Sequence, residues 1–522
     1  METLVKEKHE RELFGHPIGL YILFLTEMWE RFSFYGMKAL LIFYLVKYHL
    51  FTDTSGNLLV GSYAALVYAM PVIGGFLADK YLGFRKAVTF GGILLVLGHL
   101  GMAYEGNAAT EMADGLIQRD ETALQVFYFS LSLIIMGVGF LKANISSIVG
   151  ELYHKGDARR DSGFTIFYMG INLGSALATI VCSYLGETYG WSYGFGAAGV
   201  GMLFGLLIFV GGRKYFHGKA EPSDPVLLKK KSPLGMSNEL TIYVLGFLAT
   251  FVVWQMVQRH SVVEGLLMIC GFLSLVYILW YALVKLKSDK VQRERLLAMT
   301  VLIVFSVIFW ALFEQAYTSL NLFADRALDR TTEWFGEIKA GVFLSFNAIF
   351  IILFAPVFAW LWVKLDKRNL NPNAAIKFAI ALMLVGLGFG VLVLGGKMSG
   401  DGKVPMIFLI VMYMLHTWGE LCLSPVGLSY TTKLSPHKIV GFMMGVWFLA
   451  TAGSEYIASL LANLASIDTS GGEVADFVTA KNSYMSLFEN MFYTGLIFGV
   501  ILLVISPVVK RMMHNVDKDT AA

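Results

Sequence analysis

Residues 18–46 read IGLYILFLTEMWERFSFYGMKALLIFYLV, an apolar stretch long enough to cross a bilayer that nevertheless contains Glu27, Glu30, Arg31 and Lys38. Each of these groups costs roughly 2.5–3.5 kcal/mol at the centre of a membrane helix. A plain anchor has no use for them. Intramembrane charges face a bundle interior or a watery cavity and pair with one another. The spacing agrees. Glu27 and Glu30 are three residues apart, Glu27 and Arg31 four, and Arg31 and Lys38 seven, so all share one helix face. The stretch predicts a titratable polar stripe inside a membrane protein.

The rest of the chain fits that reading. It has 522 residues, 56% hydrophobic and 15% charged, with a mean hydropathy of +0.63. Soluble domains carry about 25% charged residues. The net charge of +3 gives no basis for nucleic acid as a partner. Cys182, Cys270 and Cys422 all lie in apolar segments and read as small core residues, not as disulfides. Met1 to His16 is polar, without a cleavable signal pattern.

Fourteen segments of spanning length are expected, at 18–46, 60–79, 87–104, 123–149, 162–186, 191–211, 240–257, 261–284, 296–324, 335–363, 374–396, 404–432, 438–464 and 484–509. Most of the 41 Lys and Arg then fall on one side, including Lys6, Lys8, Arg11, Lys155 and Lys518. The other side holds only Lys47, Arg119, Arg259, Arg326, Arg330, Lys339, Lys397, Lys403 and Lys481. The positive-inside bias places both termini in the cytoplasm. Arg31, Lys38 and Lys142 are intramembrane. A missed or invented span would swap every later loop and weaken the asymmetry, so the charges support the count.

Six spans (residues 1–212) precede a basic, proline-containing linker and two closely spaced spans (213–295); six more follow (296–522). Two six-helix bundles are the layout of the major facilitator superfamily, with a substrate site near the midplane between rocking halves. The fold expected is therefore all-α and polytopic, with an inserted central pair. The pairs Gly74-Gly75, Gly137/Gly139, Gly170/Gly174 and Gly441/Gly445 read as close helix contacts. Pro71, Pro356 and Pro425 should bend their helices.

Four motifs carry a family resemblance. Residues 27–36 (EMWERFSFYG) resemble the ExxERFxYYG motif of the proton-dependent oligopeptide transporter (POT, or peptide transporter) family, with Phe34 where the motif has Tyr. Residues 164–174 (FTIFYMGINLG), 76–83 (FLADKYLG) and 418–427 (WGELCLSPVG) are similar to its second signature, its first cytoplasmic loop and its tenth-helix motif. The resemblance implies a proton-coupled symporter of di- and tripeptides in a bacterial inner membrane, working by alternating access with no cofactor. Nitrate carried on the same fold is the alternative.

A site that grips any dipeptide needs cations for the carboxylate, an anion for the ammonium, amides or hydroxyls for the backbone and aromatic pockets for side chains. The candidates within spans are Arg31 and Lys142, Glu420, Asn172, Asn347 and Ser424, and Tyr35, Tyr68, Trp310 and Trp447. Glu27, Glu30, Arg31 and Glu314 are the proton-coupling candidates. By resemblance, Lys38 pairs with Glu314 and Lys142 with Glu420, each joining one half to the other as a gate. Glu314 has a second reading as a group that snorkels to the interface, and Asn172 and Asn347 as interhelical hydrogen-bonding residues. Asp79 reads as a gating residue, Glu264 as interfacial, and His416 as a satisfied helix contact. No HExxH, nucleophile elbow or P-loop occurs, so neither an enzyme nor an ATP-driven pump is expected.

Overall fold

A computed structural model describes residues 12–154, 157, 159–334, 336–467, 469–470, 473–474, 476–514 and 516. Lys6, Lys8, Arg11, Lys155 and Lys518 lie outside the described residues. The chain is helical almost throughout. The elements are α1 (Ile18–Phe43), α2 (Asp53–Leu77), α3 (Phe84–Met102), α4 (Glu121–Glu151), α5 (Arg160–Tyr189), α6 (Trp191–Gly212), α7 (Pro225–Lys229), α8 (Asn238–Val257), α9 (His260–Trp280), α10 (Lys290–Phe313), α11 (Ser319–Arg326), α12 (Ser345–Asp366), α13 (Ala374–Met398), α14 (Met406–Leu434), α15 (Val440–Ala462) and α16 (Phe477–Met512). All but α7 and α11 are long, giving the six, two, six pattern. Twelve helical segments are long and apolar enough to cross a membrane on composition alone. The other two long helices are α1, with its four charges, and α15, which contains Glu455.

Two boundaries depart from expectation. The span expected at 335–363 starts only at Ser345, because Gly336–Glu337 forms a short strand and Ala340–Leu344 a 3-10 turn. The span expected at 296–324 is broken: α10 ends at Phe313, Glu314–Tyr317 is a 3-10 turn, and α11 follows. A broken helix at membrane depth is tolerated where its freed polar groups are satisfied inside the protein. Here the Gln315 amide donates to the Ala311 and Ala458 carbonyls and its oxygen accepts from Ser319.

Within each bundle, small residues bring backbones together, as packing without a hydrophobic driving force requires. A Cβ on Gly74 of α2 would collide with the Gly139 carbonyl of α4, and one on Gly174 of α5 with the Met28 carbonyl of α1. Gly441 and Gly445 correct the expectation: a Cβ on either meets nothing within 4 Å, so they hold no helices together. Replacing Gly74 with Ala is expected to destabilise the protein by about 1–3 kcal/mol, read as a lower melting temperature in detergent, whereas Gly441→Ala leaves melting unchanged.

The first loop explains its motif. Gly83 has φ +71°, and a Cβ there would strike the backbone at Glu221–Pro222. This close approach lets the linker dock on the end of α3. Arg85 pairs with Glu221, Lys86 pairs with Glu239 at 2.6 Å, and the Arg85 guanidinium holds the Glu221 carboxyl below its ordinary range.

The inserted helices straddle the seam between the bundles. α8 packs on α4, with Phe251 of α8 against Phe129. α9 packs on both α2 and α15. His260 bonds Ser62 at 3.2 Å, Glu264 accepts from Tyr456 at 3.2 Å, and Tyr277 lies edge-on to Phe442 at 4.7 Å. Cys270 corrects another expectation: it is exposed on α9, whereas Cys182 and Cys422 are buried.

Candidate transport site between the bundles

The two bundles touch along α2–α15 and α5–α12. They are tied most firmly at the distal face, opposite the one where α1 begins and α16 ends. There Arg326 holds Asp53 through two hydrogen bonds of 2.6 and 2.8 Å and also bonds the Tyr484 hydroxyl. Lys47 pairs with Asp325 at 2.7 Å, and Asn321 donates to the Ala39 carbonyl. Toward the other face, α4 and α5 do not pack on α14 or α15. Tyr168 of α5 is 46% exposed yet interacts electrostatically with Glu420 and Tyr35. The cleft between the halves is thus shut distally and open toward the terminal face.

Asp53 is 1% exposed, so removing its partner leaves an uncompensated buried charge. Arg326→Gln is expected to weaken the distally closed state by about 3–5 kcal/mol. Distal-face cysteine labelling should rise in Arg326→Gln and fall back in the Asp53→Asn/Arg326→Gln double variant.

Deeper in, α1 presents its stripe as predicted. Arg31 Nε lies 2.8 Å from both Glu27 Oε1 and Glu30 Oε2. Only the Glu27 contact has hydrogen-bond geometry; both Glu30 oxygens are buried without a hydrogen-bond partner. No described residue accepts a hydrogen bond from Arg31 Nη1 or Nη2. The guanidinium is therefore clamped from its Nε side and keeps its two terminal amines for another acceptor. Two carboxylates on one guanidinium carry one negative charge in excess. Lys142 of α4 interacts electrostatically with the cluster and places its Nζ 3.8 Å from the Tyr68 ring centre.

Across the cleft, Glu420 of α14 accepts a 3.0 Å hydrogen bond from Asn347 of α12, which also bonds Thr417. Asn347 therefore joins helices, as its interhelical reading expected, and orients Glu420. Lys142 and Glu420 do not pair in this conformation. Their helices are parted at this level, and each group has found a nearer partner. Lys38 does pair with Glu314, at 3.0 Å, because the broken helix turns Glu314 inward; Glu314 is buried and does not snorkel.

The remaining candidates divide. Tyr35 stacks on Tyr317 at 6.4 Å and interacts electrostatically with Arg31, Lys38, Glu314 and Glu420, which places it among the charges of both halves. Ser424 is half-buried one turn beyond Glu420 on α14. Asn172 is buried and donates within its own helix to the Tyr168 carbonyl. Trp310 sits in an aromatic cluster with Phe309 and Phe313, and Trp447 is buried against Gly427. His416 bonds the Val385 carbonyl, as expected of a helix contact.

The sequence profile of the POT family (PTR2) matches residues 85–476, three quarters of the chain. The chain belongs to the POT family. This is a family of membrane transporters, and the structure agrees with it. A solved POT peptide transporter, a point mutant in complex with alafosfalin, superposes with a TM-score of 0.79 at 38% identity over 97% of both chains. The uncharacterized transporter YclF of Bacillus subtilis is 38% identical over 99% of both chains. The peptide transporter YePEPT of Yersinia enterocolitica is 35% identical over the full length of each. The POT-family fold accounts for the two six-helix bundles and the inserted pair.

Sequence reasoning missed several residues of this POT-family core. Glu455 of α15 is a second carboxylate on Lys38, at 3.0 Å. Its signal was available, since a glutamate within an expected span demands a partner. Asp53 and Asp325 were missed because they lie near helix ends, where charge is unremarkable in a sequence, and Asn321 because an amide inside an apolar run does not announce its partner, the Ala39 carbonyl. Tyr63, fully buried with an unpartnered hydroxyl, looks like any core tyrosine until its surroundings are seen.

Proposed function

We propose that this chain is a proton-coupled symporter that imports di- and tripeptides across a bacterial inner membrane by alternating access. The observation that carries this reading is the opposed pair of charged sites. Arg31 offers two free guanidinium amines from one half, and Glu420 is oriented by Asn347 on the other. A zwitterionic peptide completes both, with its carboxylate toward Arg31 and Lys142 and its ammonium toward Glu420. Tyr35, Tyr68, Trp310 and Trp447 supply apolar surface for its side chains, and Asn172, Asn347 and Ser424 supply polar groups for its backbone.

The excess negative charge at Glu27, Glu30 and Arg31 is the proton site. Protonation of either carboxylate frees Arg31 for the peptide carboxylate. No cofactor takes part, because the gradient supplies the energy. The positive-inside bias makes the terminal face cytoplasmic and the distal face external, so the structure described is open to the cytoplasm. The names of relatives support the substrate class: Di-/tripeptide transporters of Lactococcus lactis are 33% and 34% identical to this chain over 98% of it. Nitrate on the same fold is disfavoured by Glu420, a carboxylate in the cleft that repels an anion with no ammonium.

Counterflow of radiolabelled dialanine into proteoliposomes, with and without an inward pH gradient, tests the reading. Exchange without a gradient and accumulation with one are expected. Competition by nitrate but not by unlabelled dipeptides would overturn it.

A further inference from the structure

The outer gate holds one carboxylate more than its lysine requires. Lys38 Nζ stands 3.0 Å from Glu314 Oε2 and 3.0 Å from Glu455 Oε1, with side-chain exposures of 1%, 10% and 4%. The lysine comes from the first half and both acids from the second, so opening the gate must break both pairs. Every element around Glu455 contributes polar groups. α1 provides Lys38 and Tyr35, α2 provides Tyr63 and Tyr68, and α4 provides Lys142. The turn after α10 adds Glu314 and Tyr317, α14 adds Glu420, which interacts with Glu314, and α9, packed on α15, adds Glu264 on Tyr456 and His260 on Ser62. Glu27, Glu30, Glu314 and Glu455 outnumber Arg31, Lys38 and Lys142 by one, before Glu420 is considered. Without Glu455 this inner set balances.

A second observation points to a proton here. The Tyr63 hydroxyl is fully buried and has no hydrogen-bond partner, and its electrostatic neighbours are Glu30 of one cluster and Glu455 of the other. A buried hydroxyl without a partner beside two acid clusters marks a functional place in the core, not plain packing.

We propose that Glu455 is a second proton-binding carboxylate on the Lys38 gate, which therefore opens only when both Glu314 and Glu455 are protonated. A single proton neutralises one carboxylate and leaves Lys38 bound to the other. Each proton adds to a carboxylate oxygen from external water, while the ammonium keeps its own. The inference rests on the proposed proton coupling and adds a second proton requirement to it.

The test is the pH dependence of gate opening. Spin labels go at Leu116 and Met398, exposed residues at the outer ends of the two halves, in a Cys270→Ser background reconstituted into nanodiscs. Their separation is followed by electron–electron resonance. The wild type should open with a Hill slope approaching about two, against about one in Glu455→Gln. Glu314→Gln should also give a slope of about one, which keeps the test decisive if Glu455→Gln misfolds. Equal slopes in the wild type and in whichever of these variants folds would overturn the proposal. The reading as a symporter is tested separately by dialanine uptake: its failure with a wild-type slope of about two would sink the transport assignment and leave the two-proton gate standing.

Discussion

Glu30→Gln is expected to abolish accumulation of dialanine in proteoliposomes while sparing its counterflow. Glu30 is fully buried, lies 2.8 Å from Arg31 Nε and has no hydrogen-bond partner for either oxygen. The glutamine keeps the shape but removes the charge whose neutralisation drives the cycle. Arg31 stays paired with Glu27 and still meets the peptide, so exchange down a peptide gradient continues. The effect is large because the coupling is all-or-none. A potential of 100 mV supplies about 2.3 kcal/mol per proton and one pH unit about 1.4 kcal/mol. Together they sustain roughly a several-hundredfold accumulation. In Glu30→Gln the ratio of internal to external peptide should fall to about one. The same loss is expected for Glu27→Gln, through the other carboxylate on Arg31. Normal accumulation in both variants would remove the proton site from this cluster.

The second large effect concerns how the peptide lies. If Glu420 reads the ammonium, acetylating the peptide's N-terminus deletes one partner of a buried, hydrogen-bonded pair. Such a loss costs about 2 kcal/mol or more, roughly thirtyfold in affinity. In Glu420→Gln the pair is already absent, so acetylation should cost little further. Competition of labelled dialanine uptake by acetylated and unmodified dialanine, in wild type and variant, gives the coupling directly. Equal penalties in both proteins would mean that the ammonium binds elsewhere, and the polarity assigned to the cleft would fall. Amidation of the C-terminus should act through Arg31 and Lys142 and remain costly in Glu420→Gln.

The stripe on α1 was legible because charges in a span must be paired, and helical spacing says which of them share a face. Arg31 with Glu27 and Glu30 follows from that alone. Lys38 with Glu314 needed more, because the partner is 276 residues away. The family resemblance supplied it. What spacing cannot show is a break in a helix. The apolar run through 296–324 hides the turn at Glu314–Tyr317 that aims Glu314 at Lys38. The pairing of Lys142 with Glu420 was expected and is absent because α4 and α14 do not pack on each other, and spacing along the chain cannot show how far apart two helices stand. Gly441 and Gly445 misled for a simpler reason. Four-residue spacing marks a smooth stripe, but it does not say whether another helix lies against it.

The inserted pair leaves the chain with a reporter of its own motion. α9 touches α2 on one side of the seam and α15 on the other, through Ser62–His260 and Glu264–Tyr456. It also bears Cys270, the exposed cysteine, while Cys182 and Cys422 are buried. A single environment-sensitive dye can therefore be attached to the unmodified protein, away from every group in the peptide's path. Its emission would track the sliding of one bundle past the other in real time, turning a helix pair with no part in the cleft into an optical gauge of the working cycle.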